Sequence, residues 1–188
     1  MIRLYLDTET SGIPRNLPIT SEEQPWVAEI ALVLTKDFRI IRTAQCLFKP
    51  GVSPMNPFAY DAHKMSTEFL QEFGTLKPEL FKDLIQDCFT EADQIIGHNL
   101  DFDIKMLDIF HGHSDYRTDD PDYICTMKAS TEFCALPKTK GTGYKWPKLT
   151  ELFEKLFDSP YAGAHSALGD TIATMQCHYE LIKRGILS

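Results

Sequence analysis

The order of the hydrophobic patterns along the chain limits the folds that it can adopt. β-prone segments dominate the first quarter, and stripes with helical spacing dominate the rest. The patterns predict strands at residues 2–7, 27–34, 38–48 and 94–97, and helices at 78–89, 99–110, 149–157 and 168–182. Loops are predicted at 13–25, 50–57 and 111–148, with one short helix near 126–133. This order predicts a three-layer α/β domain with a mixed sheet, whose first three strands form an antiparallel meander.

Length and composition indicate one ordinary globular domain. A chain of 188 residues is too short for two typical domains, so residues 1–188 are predicted to form a single domain. Apolar residues make up 43% and charged residues 24%, which excludes a disordered chain. No apolar run approaches the roughly 20 residues of a membrane helix, and the acidic start lacks the pattern of a signal peptide. A cytoplasmic protein that does not enter a membrane is expected.

The cysteines and the net charge limit the kinds of binding site that the chain can form. The five cysteines form no C-x-x-C pair and are predicted to be reduced thiols. His111 and His113 lack nearby partners for a metal, so a solvated loop is the favoured interpretation there. The net charge of −8 argues against a broad basic surface for nucleic acid. It leaves open a local site where acidic residues hold cations.

Three short segments carry acidic residues at the ends of predicted elements. Asp7 and Glu9 are two apart at the end of a strand, so their side chains share a face, although two solvated acids would give the same pattern. A second acidic segment, residues 98–103, lies where a strand passes into a helix. The third runs from His165 to Asp170, which would lie about 140° apart on one helix. His165 must therefore lie outside the last helix, and Ser166 is a suitable N-cap.

Taken together, these segments identify a family resemblance. Asp-x-Glu at residue 7, His-Asn-x-x-Phe-Asp at residue 98 and His-x-Ala-x-x-Asp at residue 165 resemble the DEDDh class of 3′-to-5′ exonucleases. That superfamily includes the epsilon proofreading subunits of bacterial DNA polymerase III, RNase T and oligoribonuclease. Residues 62–70 are similar to the His-Gly-Ile stretch of epsilon subunits, with Lys64 in place of the usual Gly. The resemblance implies a ribonuclease H-like fold with a mixed five-stranded sheet flanked by helices.

The resemblance also implies a catalytic set. Asp7, Glu9, Asp103 and Asp170 would hold two divalent metal ions, and His165 would be the general base. Hydrolysis of a phosphodiester needs an activated water and charge compensation on the leaving oxygen, which two metal ions can supply. Carboxylate oxygens suit Mg²⁺ or Mn²⁺. Histidine is the residue type that ordinarily titrates near neutral pH, as a general base requires.

Asp101 competes with Asp103 for the ligand position in the middle segment. The family pattern places the ligand after Phe, which favours Asp103 and leaves Asp101 as a solvated acid in the first turn of a helix. An EF-hand interpretation of residues 99–103 fails because Ile104 occupies the position where that loop needs glycine.

The family's substrate contacts carry over to six positions. Thr10, Gly12 and Ile13 would line the pocket for the terminal nucleotide, His63 would reach its sugar or phosphate, and Phe102 would lie near the next base. Asn99 completes the set of predicted substrate-binding residues. Core packing is an equally good explanation of Ile13 and Phe102. Stacking on an aromatic ring would tolerate any base, as an exonuclease requires.

Residues 138–148 are a separate basic segment. They contain four lysines, Tyr144 and Trp146 and no acidic residue. The segment could guide a nucleic-acid backbone toward the carboxylates. The alternative is a solvated loop whose Trp146 packs against the helix that begins near Leu149.

The expected function is therefore metal-dependent 3′-to-5′ exonuclease action on single-stranded DNA, with release of nucleoside 5′-monophosphates. An exonuclease of the RNase T or oligoribonuclease kind, acting on RNA, is the first alternative, and a non-catalytic nucleic-acid-binding module is the second. The resemblance to epsilon subunits implies a DNA polymerase as a possible partner. Because the chain ends at Ser188, soon after the last helix, free-standing repair or end-trimming is favoured over proofreading within a replicase.

Overall fold

The computed structural model describes residues 1–113, 116, 121–161 and 165–187. The strands are β1 (Ile2–Thr10), β2 (Val27–Lys36), β3 (Arg39–Leu47), β4 (Gln94–Gly97) and β5 (Asp122–Cys125). The helices are α1 (Pro57–His63), α2 (Thr67–Phe73), α3 (Pro78–Glu91), α4 (Leu100–His111), α5 (Thr126–Ala129), α6 (Thr131–Cys134), α7 (Leu149–Phe157) and α8 (Ala167–Lys183). No described helix has the length and apolar character needed to cross a lipid bilayer.

The five strands form one mixed sheet in the order β3-β2-β1-β4-β5. The first three strands pair antiparallel, whereas β4 pairs parallel to both β1 and β5. The predicted meander, the mixed five-stranded sheet and the three-layer architecture are therefore confirmed. Because β1 and β4 run parallel, with Tyr5 opposite Ile96, their carboxyl ends lie at the same edge of the sheet.

Strand β1 is the central strand of the sheet, and both of its faces are covered. Leu4 and Leu6 pack into a core with α3 and α4, including Ile85 and Leu107. On the opposite face Tyr5 packs against α8. Burial on both faces fixes the position of β1 between two helical layers, and it fixes the direction of the acidic residues that follow Leu6.

Strand β5 lies inside the segment 111–148 that the sequence predicted as mostly loop. It has only four residues, and none of them is fully buried. So short a segment has no readable alternation, and its pairing with β4 defines it. The predicted short helix near 126–133 consists of two four-residue helices, α5 and α6.

Helices α1 and α2 were also missed by the sequence patterns. Asn56 and Ser66 cap them, with side-chain oxygens that accept from the backbone N–H groups of Phe58 and Phe69. Each helix has seven residues and buries only one of them. With so little buried surface, neither helix has the apolar stripe that reveals α3, α7 and α8.

Candidate active site

Three acidic side chains from two distant parts of the chain meet at the carboxyl end of β1. Asp7 and Glu9 extend from β1, and Asp170 lies in the first turn of α8. Each offers a carboxylate oxygen, and the three oxygens lie within 4.8 Å of one another. All three side chains are partly buried. The set consists only of hard oxygen donors, and it fits a divalent ion such as Mg²⁺ or Mn²⁺.

Asp103 joins this cluster from α4. Its side chain is 2% exposed, and its Oδ1 accepts hydrogen bonds from the backbone N–H of Thr8, at 3.1 Å, and from the Thr8 hydroxyl, at 2.8 Å. Thr8 lies between Asp7 and Glu9, so these bonds tie Asp103 to the strand that carries the other two acids. We call Asp7, Glu9, Asp103 and Asp170 the carboxylate cluster.

Asp101 lies outside the cluster although it is only two residues from Asp103. Its carboxylate forms an ion pair with Lys128, and its side chain is 46% exposed. This exposure confirms the prediction of a solvated acid in the first turn of a helix, and the structure adds a cationic partner. A helix turns about 200° in two residues, so the two acids face different surroundings.

Burial and mutual repulsion disfavour the charged forms of the cluster. Burial raises the pKa of Asp7 well above its usual range, and the charges of Asp103, Glu9 and Asp170 raise it further. Burial, followed by the charges of Asp170 and Glu29, raises the pKa of Glu9 to about 8. A divalent cation would relieve both costs, since it replaces lost hydration and neutralises the repulsion.

His165 lies just outside α8, as the spacing to Asp170 predicted. Its side chain is exposed, its backbone φ is 72°, and its N–H donates to Oδ2 of Asp170 at 3.3 Å. Ser166 caps α8, with its hydroxyl accepting from Gly169 N–H at 3.2 Å. The Tyr161 hydroxyl donates to Oδ1 of Asp170. His165 is thereby placed beside the cluster with its ring open to solvent.

Glu29 is a buried acid at this site that the sequence patterns did not single out. It lies opposite Glu9 on the neighbouring strand and is 4% exposed. Its carboxylate accepts from the Gln45 side chain at 2.5 Å and from the N–H of Ala167, the first residue of α8, at 2.9 Å. Glu29 thus links β2 to the start of the helix that carries Asp170. A single carboxylate inside the otherwise apolar run of residues 27–34 was the signal that could have identified it.

A cavity of about 400 Å³ opens beside Glu9. Five of the six predicted substrate-binding residues line it: Thr10, Gly12, Ile13, His63 and Phe102. Phe58, which is 85% exposed, lines it as well and was not predicted. Ile13 is 76% exposed, so core packing does not explain it, whereas Phe102 is half-buried against the core. Asn99 is exposed at the N-cap of α4 and does not line the cavity.

His63 supports the wall of this cavity. Its Nδ1 accepts from the N–H of Met65 at 3.0 Å, so Nε2 carries the proton and donates to the Thr10 carbonyl at 3.3 Å. Burial lowers the pKa of His63, which agrees with a neutral ring. Lys64 adopts the left-handed conformation, with φ at 59°, that glycine adopts most readily. Glycine would adopt this conformation without strain, so Lys64 occupies a position that suits glycine.

Comparison with solved structures shows that other proteins share this fold. Escherichia coli exonuclease I, solved as a zinc-bound complex with single-stranded DNA, superposes with a TM-score of 0.72 at 21% identity, over 97% of this chain and 40% of that one. Exonuclease I from Methylocaldum szegediense gives a TM-score of 0.70 at 19% identity, over 97% of this chain and 40% of that one. This chain thus spans about two fifths of the length of those structures. No curated protein matches the sequence significantly.

The family assignment rests on sequence over most of the chain. Residues 4–177 match the RNase_T family, whose description is exonuclease. The match includes the carboxylate cluster, His165 and every residue that lines the cavity beside Glu9. The chain belongs to the RNase_T family of exonucleases.

Proposed function

We propose that this chain is a metal-dependent 3′-to-5′ exonuclease that removes nucleoside 5′-monophosphates from single-stranded DNA. The carboxylate cluster carries the proposal, because three of its oxygens converge within 4.8 Å beside a cavity of nucleotide size. The structure of E. coli exonuclease I with a dA16 oligonucleotide, at 20% identity, supports single-stranded DNA as the substrate class. The direction of attack, from the 3′ end, is taken from the DEDDh resemblance.

The carboxylates would hold the cations that phosphodiester hydrolysis needs. Divalent ions bound by the cluster would supply charge compensation on the phosphate and a water of lowered pKa. Thr8 keeps Asp103 turned toward β1 through two hydrogen bonds to one oxygen, which leaves Oδ2 for a cation. Glu29 keeps the start of α8, and with it Asp170, against the sheet.

His165 is the proposed general base. Its exposed ring can accept the proton of the attacking water, and its backbone bond to Asp170 keeps it at the edge of the cluster. Its left-handed backbone and the cap at Ser166 separate it from the helix, so the ring can approach a substrate without disturbing α8.

The cavity beside Glu9 would receive the terminal nucleotide. Ile13 and Phe58 offer exposed apolar surface to a base, and Phe102, the residue before Asp103, also lines the cavity. Apolar contact and stacking do not distinguish the four bases, which suits an enzyme that removes successive nucleotides of any sequence.

The test uses 5′-end-labelled single-stranded DNA and RNA of one sequence, incubated with the protein and Mg²⁺ or Mn²⁺. We expect a ladder that shortens from the 3′ end of DNA and nucleoside 5′-monophosphates as the product. EDTA and Asp7→Ala should both abolish the ladder. Preferential shortening of RNA would move the substrate to the RNase T kind. Absence of metal-dependent shortening of either strand would contradict the proposal.

A further inference from the structure

The basic segment identified in the sequence forms a hairpin that projects from the domain. Residues 137 and 144 form a bridge, and the backbone N–H groups of Lys138 and Lys145 donate to Gly143 and Leu136 at 3.2 and 2.8 Å. Gly141 and Gly143 have φ values of 82° and 85°, and a Cβ added at either would meet no atom within 4 Å. We call residues 137–148 the basic hairpin. Its tip is surrounded by solvent.

Two aromatic side chains of the basic hairpin are exposed to solvent. Trp146 is 61% exposed and Tyr144 is 40% exposed. Most of the Trp146 side chain is therefore left uncovered, although it lies only three residues before the start of α7. Tyr and Trp rings combine a flat apolar face with a polar group, which suits stacking on nucleic-acid bases.

Three of the four lysines are available to a partner. Lys145 forms an ion pair with Glu151 at 2.5 Å. Lys138, Lys140 and Lys148 are exposed, and within the described part of the chain no carboxylate lies at ion-pair distance from them. Their ammonium groups stand out in a chain whose net charge is −8.

The base of the basic hairpin is fixed at the sheet edge that carries the carboxylate cluster. Nε2 of His98 lies 3.0 Å from the Pro147 carbonyl, and Nδ1 lies 3.0 Å from the Thr126 hydroxyl. A carbonyl can only accept, so Nε2 donates to Pro147. His98 directly follows β4, whose carboxyl end lies beside the part of β1 that precedes Asp7. The anchoring bond therefore connects the hairpin to the active-site edge.

We propose that the basic hairpin binds the single-stranded DNA that lies upstream of the nucleotide being removed. Lys138, Lys140 and Lys148 would contact successive phosphates, and Tyr144 and Trp146 would stack on bases. Lysines next to exposed aromatic rings are the combination that binds single strands without reading sequence. The proposal rests on the proposed exonuclease function, and it adds a substrate-binding surface outside the cavity beside Glu9.

The hairpin should govern affinity for long strands and leave the chemical step unchanged. The test variant is Lys138→Ala/Lys140→Ala/Lys148→Ala, which keeps the Lys145–Glu151 pair intact. A matched control, Lys36→Ala/Lys77→Ala/Lys155→Ala, removes three exposed lysines elsewhere and changes the net charge equally. Two substrates are compared: a 20-residue oligothymidylate, and the p-nitrophenyl ester of thymidine 5′-monophosphate, which has a single nucleotide and no upstream strand.

For the hairpin variant we expect KM on the oligonucleotide to rise about tenfold or more, with kcat and hydrolysis of the ester within about twofold of wild type. The slope of log affinity against log salt should fall by about 2, because three phosphate contacts to a single strand are lost. Trp146→Ala should weaken oligonucleotide binding about tenfold through lost stacking. The control variant should behave as wild type. Equal KM and equal salt slopes for the two triple variants would overturn the proposal.

Failure of this proposal can be separated from failure of the proposed function. If the wild-type protein hydrolyses neither substrate, the exonuclease function is contradicted. Binding of the labelled oligonucleotide, followed by fluorescence anisotropy in EDTA, still tests the hairpin, because the same comparison of triple variants applies to Kd. Indistinguishable Kd values for the two variants would then overturn the role of the hairpin.

Discussion

The carboxylate cluster and the basic hairpin lie at the same edge of the sheet, yet they differ in burial, charge and support. Two acids of the cluster extend from β1, which is covered on both faces, and Asp103 is almost completely buried. The hairpin carries exposed lysines and aromatic rings, and it is joined to the domain through Pro147. Buried charges with fixed partners suit catalysis, because groups held in place need little reorganisation. Exposed charges suit attraction of a polyanion.

This comparison predicts that changes in the cluster lower kcat for every substrate, whereas changes in the hairpin raise KM for long strands only. Three variants and one change of pH test the carboxylate cluster and the residues beside it.

Asp7→Asn should have the largest effect. We expect kcat on the 20-residue oligothymidylate and on the nucleotide ester to fall on the order of 1,000-fold, since a lost cation ligand removes several kcal/mol of transition-state stabilisation. Steady-state kinetics in Mn²⁺ measures the loss. Asp101→Asn is the matched control, because it removes an acid that pairs with Lys128 outside the cluster, and its activity should stay near that of wild type. Equal activity of Asp7→Asn and wild type would refute the assignment.

His165→Ala should lower kcat by about 100-fold or more on both substrates, as expected for loss of a general base. Oligonucleotide binding, measured by anisotropy in EDTA, should be unchanged. The role assigned to His165 would fail if kcat kept its wild-type value while KM rose.

Glu29→Gln should lower kcat about tenfold, in the range seen when groups that orient metal ligands are changed. The amide can keep a bond to Gln45 or to Ala167 N–H, so the fold is retained, but it removes one of the charges that raise the pKa of Glu9. The pH above which Mn²⁺ binds well should therefore become lower. Loss of packing alone would not produce this shift. An unchanged pH dependence with reduced kcat would limit Glu29 to a structural role.

The cation-free protein should become less stable as pH rises, because the buried carboxyl groups of the cluster lose their protons. The pKa of Glu9 is raised to about 8, so between about pH 4.5 and pH 8 the folded state holds a proton that the unfolded chain has lost. Stability therefore falls as pH rises through this window. In EDTA we expect Tm to drop by about 5 °C from pH 5 to pH 8, and Mn²⁺ to restore it at pH 8. A Tm in EDTA that does not fall between those pH values would contradict the electrostatic description of the cluster.

The acids of the site were predictable because each lies at the end of an element with a clear pattern. Asp7 and Glu9 lie in the last residues of β1, and Asp103 and Asp170 lie in the first turns of two helices, so topology alone brings them to one edge. Glu29 was missed because its role depends on register, which places it opposite Glu9 and beside the start of α8. Pair registers are tertiary information that no local pattern contains.

Some short helices and strands, and contacts between residues far apart in sequence, could not be predicted from the sequence. Strand β5 and helices α1 and α2 bury too few side chains to show a period. The basic composition of residues 138–148 was evident, but both interpretations of Trp146 were compatible with it. The 61% exposure of Trp146 and the bond between His98 and Pro147 support the nucleic-acid interpretation, and both depend on the folded structure.

Mn²⁺ binding tests the central claim most directly, namely that the carboxylate cluster is a cation site. Wild type, Asp7→Asn and Asp101→Asn would be titrated with Mn²⁺ by calorimetry at pH 7.5, in the absence of nucleic acid. The account predicts that wild type and Asp101→Asn bind Mn²⁺ alike and that Asp7→Asn binds at least about tenfold more weakly. Equal binding by all three proteins, or weakened binding by Asp101→Asn alone, would contradict it.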